Sequence, residues 1–135
     1  MLAVNEKAKA YLQKQNKNLV DALTNNFSVE VYQDEMAEDE EPAIYHFFIY
    51  ELGDIQASTA NKGLTLSQDV FVHYISENRN DLDDITLDVI TSLSKEKLTF
   101  VKTAKGRHQK GNTDAYVDRV SFSFRRMINL GICTV

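Results

Sequence analysis

The chain has 135 residues, of which 43% are hydrophobic and 26% charged. That length suits one compact domain with one core, and the composition lies well away from the low-hydrophobicity signature of disorder. A formal net charge of -5 speaks against a general basic-patch nucleic-acid binder, since phosphate neutralisation needs a surplus of Lys and Arg.

Cys133 is the only cysteine, so no intrachain disulfide can form and a reducing compartment is the natural setting. Its apolar surroundings, with no His nearby, argue against a nucleophilic role. The opening "MLAVNEKAKAYLQKQ" lacks the basic and apolar regions of a secretory leader, and no apolar run reaches membrane-spanning length. A soluble, cytoplasmic protein is expected.

Residues 4–24 place Val4, Ala8, Tyr11, Leu12, Leu19, Ala22 and Leu23 on one stripe at helical spacing, with Lys7, Lys14, Lys17 and Asp21 opposite. Asn25 and Asn26 are the expected terminators, because Asn tolerates the left-handed conformation at helix ends. "FSVEVYQ" then alternates, with Phe27, Val29 and Val31 on one side, as a half-buried strand does. It runs into "DEMAEDEEP", where Asp34, Glu35, Glu38, Asp39, Glu40 and Glu41 crowd before Pro42. Self-repulsion predicts a solvated loop there.

"AIYHFFIYELGDIQAST" and "LTLSQDVFVHYIS" flank "ANKG", so a long hairpin is expected with its turn at Asn61, Lys62 and Gly63. Gly53 marks a bulge or bend. At strand rise the second arm, residues 64–76, spans about 40 Å, more than a small sheet usually needs. Phe47, Phe48, Ile49, Val70, Phe71, Val72 and Ile75 gather at the base, so the tip is expected to project and to expose strand edges that a partner would cover.

A second helix is expected over residues 82–94, burying Leu82, Ile85, Thr86, Val89 and Leu93. Asp81, Asp83 and Asp84 stand at its start, where carboxylates favour the free N–H groups and the positive end of the dipole. Asn80 or Asp81 is the expected cap. A metal or acid–base role for Glu77, Asp81 and Asp84 would require a cleft, a shifted pKa and a well-spaced His. "KLTFVKT" reads as a fourth strand and "YVDRVSFSFRRMI" as a fifth, in which Tyr116, Val120, Phe122, Phe124 and Ile128 alternate with Arg119, Ser121, Ser123 and Arg125. The joining loop "AKGRHQKGNTDA" is basic.

The order α-β-β-β-α-β-β predicts a single α+β domain over residues 1–135: a mostly antiparallel (mixed) sheet, two helices on one face and a long projecting hairpin. His46, His73 and His108 lie far apart in sequence; His46 and His73 could face each other across the hairpin, or simply occupy a partly buried sheet face. With no CxxC, HExxH, phosphate-binding Gly loop or nucleophile elbow, neither enzyme activity nor a cofactor or metal is expected. The acidic loop and the basic residues Lys102, Lys105, Arg107, His108 and Lys110 are most simply solvated. In a sharper reading they meet between copies or against a partner, since complementary patches set register. Head-to-tail contacts of this kind close into rings when the rotation allows.

A leading helix, a long hairpin, "VFVHYISENRNDLDDITLDVITSL" passing from strand to helix, and "DRVSFSFRRMI" as last strand together resemble the tail terminator, or tail completion, proteins of long-tailed bacteriophages. The resemblance covers residues 4–128 and rests on patterns of residue type and order. It implies a virion protein, assembled in the host cytoplasm, that forms a ring of six at the head-proximal end of the tail. Such a ring caps the tail tube, stops its growth and joins it to the head connector. The implied partners are further copies of the chain, the tail tube protein and the connector or stopper protein, without membrane or sequence-specific nucleic acid. The implied interface comprises the acidic loop, the turn at Asn61 to Gly63, the basic residues Lys102, Lys105, Arg107 and Lys110, and Arg119 and Arg125 on the last strand. A head-tail stopper or other neck protein fits the same pattern. Two further readings are a small acidic inhibitor or adaptor that binds a basic host protein and, third, a metal-dependent enzyme built on His46, His73 and Glu77.

Overall fold

The computed structural model describes residues 5–34, 46–58, 65–77, 80–109 and 116–130. Its elements are α1 (Glu6–Phe27), β1 (Glu30–Gln33), β2 (His46–Ala57), β3 (Thr65–Ser76), α2 (Leu82–Ser94), β4 (Thr99–Gln109) and β5 (Tyr116–Asn129). The chain therefore has the expected α+β order. The turn at Asn61, Lys62 and Gly63 lies outside the described residues, as do Glu35, Glu38, Asp39, Glu40, Glu41, Lys110 and Cys133.

Helix α1 buries Ala8, Gln15, Leu19 and Leu23 at spacings of seven, four and four. It continues past Asn25 and Asn26, the expected terminators. Phe27 is held helical by its ring, which tilts against Phe48 with centroids 5.5 Å apart. Ser28 takes the left-handed cap at φ 55°, and its N–H donates to the Thr24 carbonyl at 2.9 Å. Helix α2 runs over the expected residues and buries Ile85, Val89 and Leu93. Asp81 occupies its N-cap position without a side-chain capping bond, while Asp83 in the first turn accepts Lys105 Nζ at 2.6 Å.

The strands form one sheet in the order β1-β2-β3-β5-β4. β1 pairs parallel with β2, and every other neighbouring pair is antiparallel. A parallel pair cannot be closed by a tight turn; residues 35–45, between these two strands, lie outside the described residues.

Strand alternation divides the sheet into two faces. Phe48, Tyr50, Val70, Val72, Tyr74, Val120, Phe122 and Phe124 pack with Leu19 and Leu23 of α1 and with Ile85, Val89 and Leu93 of α2 in one core. On the opposite face Phe47, Ile75 and Val117 form a smaller cluster joined by Tyr32 and Ile49.

The hairpin projects as a three-stranded tongue. β3 pairs with β5 along its whole length, from Thr65 opposite Asn129 to Ser76 opposite Asp118. This buries Ser67 and Gln68 near the tip, whereas Asp54, Ile55, Gln56 and Ala57 of β2 stay exposed. The register shifts between Leu52 and Ile55, where Gly53 places the expected bulge.

Of the basic loop of the sequence reading, residues 104–109 are strand and residues 110–115 lie outside the described residues. β4 continues through Lys102, Lys105 and Arg107 to Gln109, each paired with β5. Gly106 does not interrupt it, because an edge strand makes no demand for packing at that position: nothing lies within 4 Å of where a Cβ would be.

Candidate interaction surface

Helices α1 and α2 cover one face of the sheet, and the other face carries a line of polar side chains, hydrogen-bonded between β5 and β3 and ending beside a carboxylate of β2. Arg119 Nε donates to Ser121 Oγ at 3.3 Å, and Ser121 Oγ lies 2.8 Å from His73 Nδ1. His73 Nε2 stands 3.6 Å from Glu51 Oε2. The Glu51 carboxylate on the Nε2 side favours the tautomer with its hydrogen on Nε2, which leaves Nδ1 to accept from the Ser121 hydroxyl. Burial pushes the His73 pKa down, and the nearby Arg119 cation adds to this, while Glu51 opposes both. The ring is therefore neutral at neutral pH.

His46 does not meet His73. His46 pairs in register with Ser76 and its ring contacts Tyr74 on the helix side, whereas His73 sits opposite Ser121 on the other face. The even difference in register that would bring them together is missing, since a step of one residue reverses the face. Among the described residues no three His, Cys, Asp or Glu side chains converge where a metal could bind. The cleft at the start of α2, about 390 Å³, is lined by Asn80, Asp81, Leu82, Asp83, Asp84 and Lys105, with Asp83 and Lys105 already paired.

The resemblance also singles out Arg126 on the last strand, but sequence reasoning did not foresee that it is the most buried charge among the described residues. Arg126 is 2% exposed, on the helix side of β5. Its Nε and Nη2 donate to Gln68 Oε1 at 2.9 and 2.7 Å, and Nη1 donates to Gln15 Oε1 at 3.1 Å and Asn16 Oδ1 at 2.7 Å. Gln68 Nε2 in turn donates to the Gly53 carbonyl at the bulge, at 2.9 Å. Burial lowers the Arg126 pKa, with Tyr11 and Tyr50 nearby acting in the other direction. The guanidinium thus ties α1 to β3 and β5 through neutral amides. A signal for it exists in the sequence: Gln15, Gln68 and Arg126 are polar residues that fall on the apolar phase of their elements.

The expected interface residues separate into distinct places. Asp34 is exposed at the end of β1 with φ 66°, and its N–H donates to the Tyr50 carbonyl at 2.8 Å. Lys102, Lys105 and Arg107 are exposed on β4, Lys105 bridging to Asp83 and Arg107 to Asp118 at 3.3 Å. Arg119 belongs to the polar line, and Arg125 bridges to Asp69 at 3.2 Å.

The sheet ends at β1 and β4, and among the described residues two of its open edges lie on β4 and on β2 beyond the end of β1. β4 has β5 on one side and no strand on the other. β1 covers β2 only from Phe47 to Tyr50, so residues 51–57 of β2 have no outer partner strand. The first edge is basic through Lys102, Lys105 and Arg107. The second carries Glu51 and Asp54, beside the point where β1 ends at Asp34. No protein-family model matches this chain, and no curated protein matches it in sequence. Among the described residues no helix is long and apolar enough to cross a membrane.

Proposed function

We propose that this protein is a phage tail terminator: a structural subunit that assembles with copies of itself into a ring on the head-proximal end of the tail tube, halts tube growth and presents a surface to the head connector. The observation that carries this reading is a single sheet with open edges of opposite charge toward its two sides, the basic β4 and the acidic stretch of β2 that β1 leaves uncovered. Unlike edges on one subunit favour head-to-tail contact, the arrangement from which rings are built. The expected element order and the projecting β2, β3 and β5 tongue give further support.

In this reading the residues do no bond-breaking chemistry. β4 and the β2 edge supply subunit contacts, the helix face supplies rigidity, and Arg119 and Glu51, the half-buried ends of the polar line on the opposite face, offer polar groups to a neighbouring ring. Electron microscopy of lysates with the gene disrupted tests it. Filled heads beside unattached, overlong tails are expected, and normal infectious particles would overturn it. In that event the exposed acidic start at Asp34 leads to the second reading, an acidic adaptor for a basic host protein, for which salt-sensitive one-to-one binding is the mark.

A further inference from the structure

We infer that β4 of one copy adds as an antiparallel strand to the outer edge of β2, residues 51–57, of the next copy, so that the five-stranded sheet continues from subunit to subunit. The inference rests on the self-assembly reading above and names the contact that produces it.

Strand direction is the first argument. β2 is antiparallel to β3, β3 to β5 and β5 to β4, so β4 runs opposite to β2 within one subunit. When a second copy is placed beside the first with the same face outward, its β4 therefore meets β2 in the antiparallel sense. That sense gives the straighter hydrogen bonds of the two possible ladders.

Charge is the second argument. β4 brings Lys102 together with Lys105 and Arg107, which also bridge to Asp83 and Asp118 within the subunit, and the β2 edge brings Glu51 and Asp54. The symmetric alternative of β4 on β4 would set three cations against the same three, and β2 on β2 would oppose carboxylates. Like charges across a ladder are unfavourable, so the mixed pairing is the one selected.

Apolar exposure is the third. Val101 on β4 is 45% exposed and Ile55 on β2 is 52% exposed, two large hydrophobic side chains in open positions on the two edges. Each edge also carries a register shift, at Phe100 to Lys102 and at Leu52 to Ile55. Bulges and lysines keep an edge from accepting arbitrary strands. Here they leave a partner of matching shape and opposite charge as the one that fits. β4 is eleven residues long, enough to cover all of residues 51–57.

The test is cysteine cross-linking of the full-length chain with Cys133→Ser as background, using Ala104→Cys and Asp54→Cys, both at exposed strand positions. A chain with both cysteines is expected to give a ladder of dimers, trimers and larger species under mild oxidation. Mixing the two single variants should stop at dimers. Lys102→Glu should reduce ladder yield at least tenfold, and Glu51→Lys on the neighbouring copy should restore it. A disulfide-linked dimer from Ala104→Cys alone would overturn the inference in favour of β4 on β4. Cross-linking of Ala104→Cys to Glu30→Cys in place of Asp54→Cys would overturn it in favour of β1. The absence of any ladder at all concentrations also overturns it, whatever the gene disruption shows. A ladder together with normal particles from the disrupted phage leaves edge pairing standing and removes the tail function.

Discussion

The two faces of one sheet handle the same chemistry in opposite ways. Arg125 and Arg126 are neighbours on β5, and strand alternation sends them to different sides. Arg125 stays partly in water and bridges to Asp69. Arg126 is enclosed and held by three amide side chains. The helix face therefore commits its polar groups to holding the subunit together. The bare face spends them on a line of contacts, Arg119 to Glu51, that one strand shift or one partner can rearrange. Surfaces that must dock are built on the second plan, because a side chain fully engaged inside its own subunit has nothing left to offer a neighbour.

The largest effects should fall on the helix face. Phe48, fully buried against Phe27 and Tyr74, should lose about 3–5 kcal/mol of stability as Phe48→Ala in urea denaturation. Phe71, half-buried on the bare face, should lose about half as much or less. Next comes the arginine pair. Arg126→Met leaves the Gln15, Asn16 and Gln68 oxygens without their donor and should cost about 2–3 kcal/mol. Arg125→Met should cost about 0–1 kcal/mol, the range of an exposed ion pair. Equal losses at the two arginines would break the contrast between the faces.

How far this was legible in the sequence depends on which signal a residue carries. The α2 boundaries and the alternation of β5 could be read directly, because Ile85, Val89 and Leu93 repeat at helical spacing and Phe122 and Phe124 at strand spacing. Arg126 showed only as a polar residue at an apolar phase, because its partners come from positions 15, 16 and 68, which no local pattern links. His73 was visible as a histidine, but its partners depend on the register of β3 against β5 and β2. The hairpin was foreseen, whereas the cover that β5 gives its tip was not. The extent of β4 was hidden by Gly106 and a run of basic residues that resembles loop composition, yet an edge strand tolerates both.

Gly53 sharpens the contrast at the point where β2 leaves the core. A Cβ there would come within 3.0 Å of the Asp69 carbonyl and 3.1 Å of the Phe71 ring. The first contact is backbone and cannot be relieved by a rotamer change, so Gly53→Ala should cost about 1–2 kcal/mol through local overpacking. The Gly53 carbonyl also accepts from Gln68, which holds Arg126. Gly53→Ala should therefore lose part of its cost when combined with Arg126→Met, a non-additivity that a double-mutant cycle measures. Full additivity would separate the bulge from the buried network.

The smallest effect is the titration of His73, and its sign follows from the bare face. The groups around the ring are Ser121 and Arg119 on β5 and Glu51 on β2. Burial and Arg119 together outweigh Glu51, so the folded-state pKa lies below the unfolded value near 6.5. Above that value both states hold a neutral ring and no difference arises. As pH falls below about 6.5 the unfolded chain takes up a proton that the folded chain resists, and stability declines until the folded-state pKa is passed. The contribution of His73 is the difference between the wild-type chain and His73→Gln in urea denaturation from pH 7.5 to pH 5. The wild type should lose more stability than the variant over that range. Glu51→Gln, which removes the one opposing carboxylate, should enlarge the loss. A profile unchanged by His73→Gln would mean that the ring is as easily protonated in the fold as in the unfolded chain. It would then follow that the bare face is wet enough at its centre to hold a second cation beside Arg119.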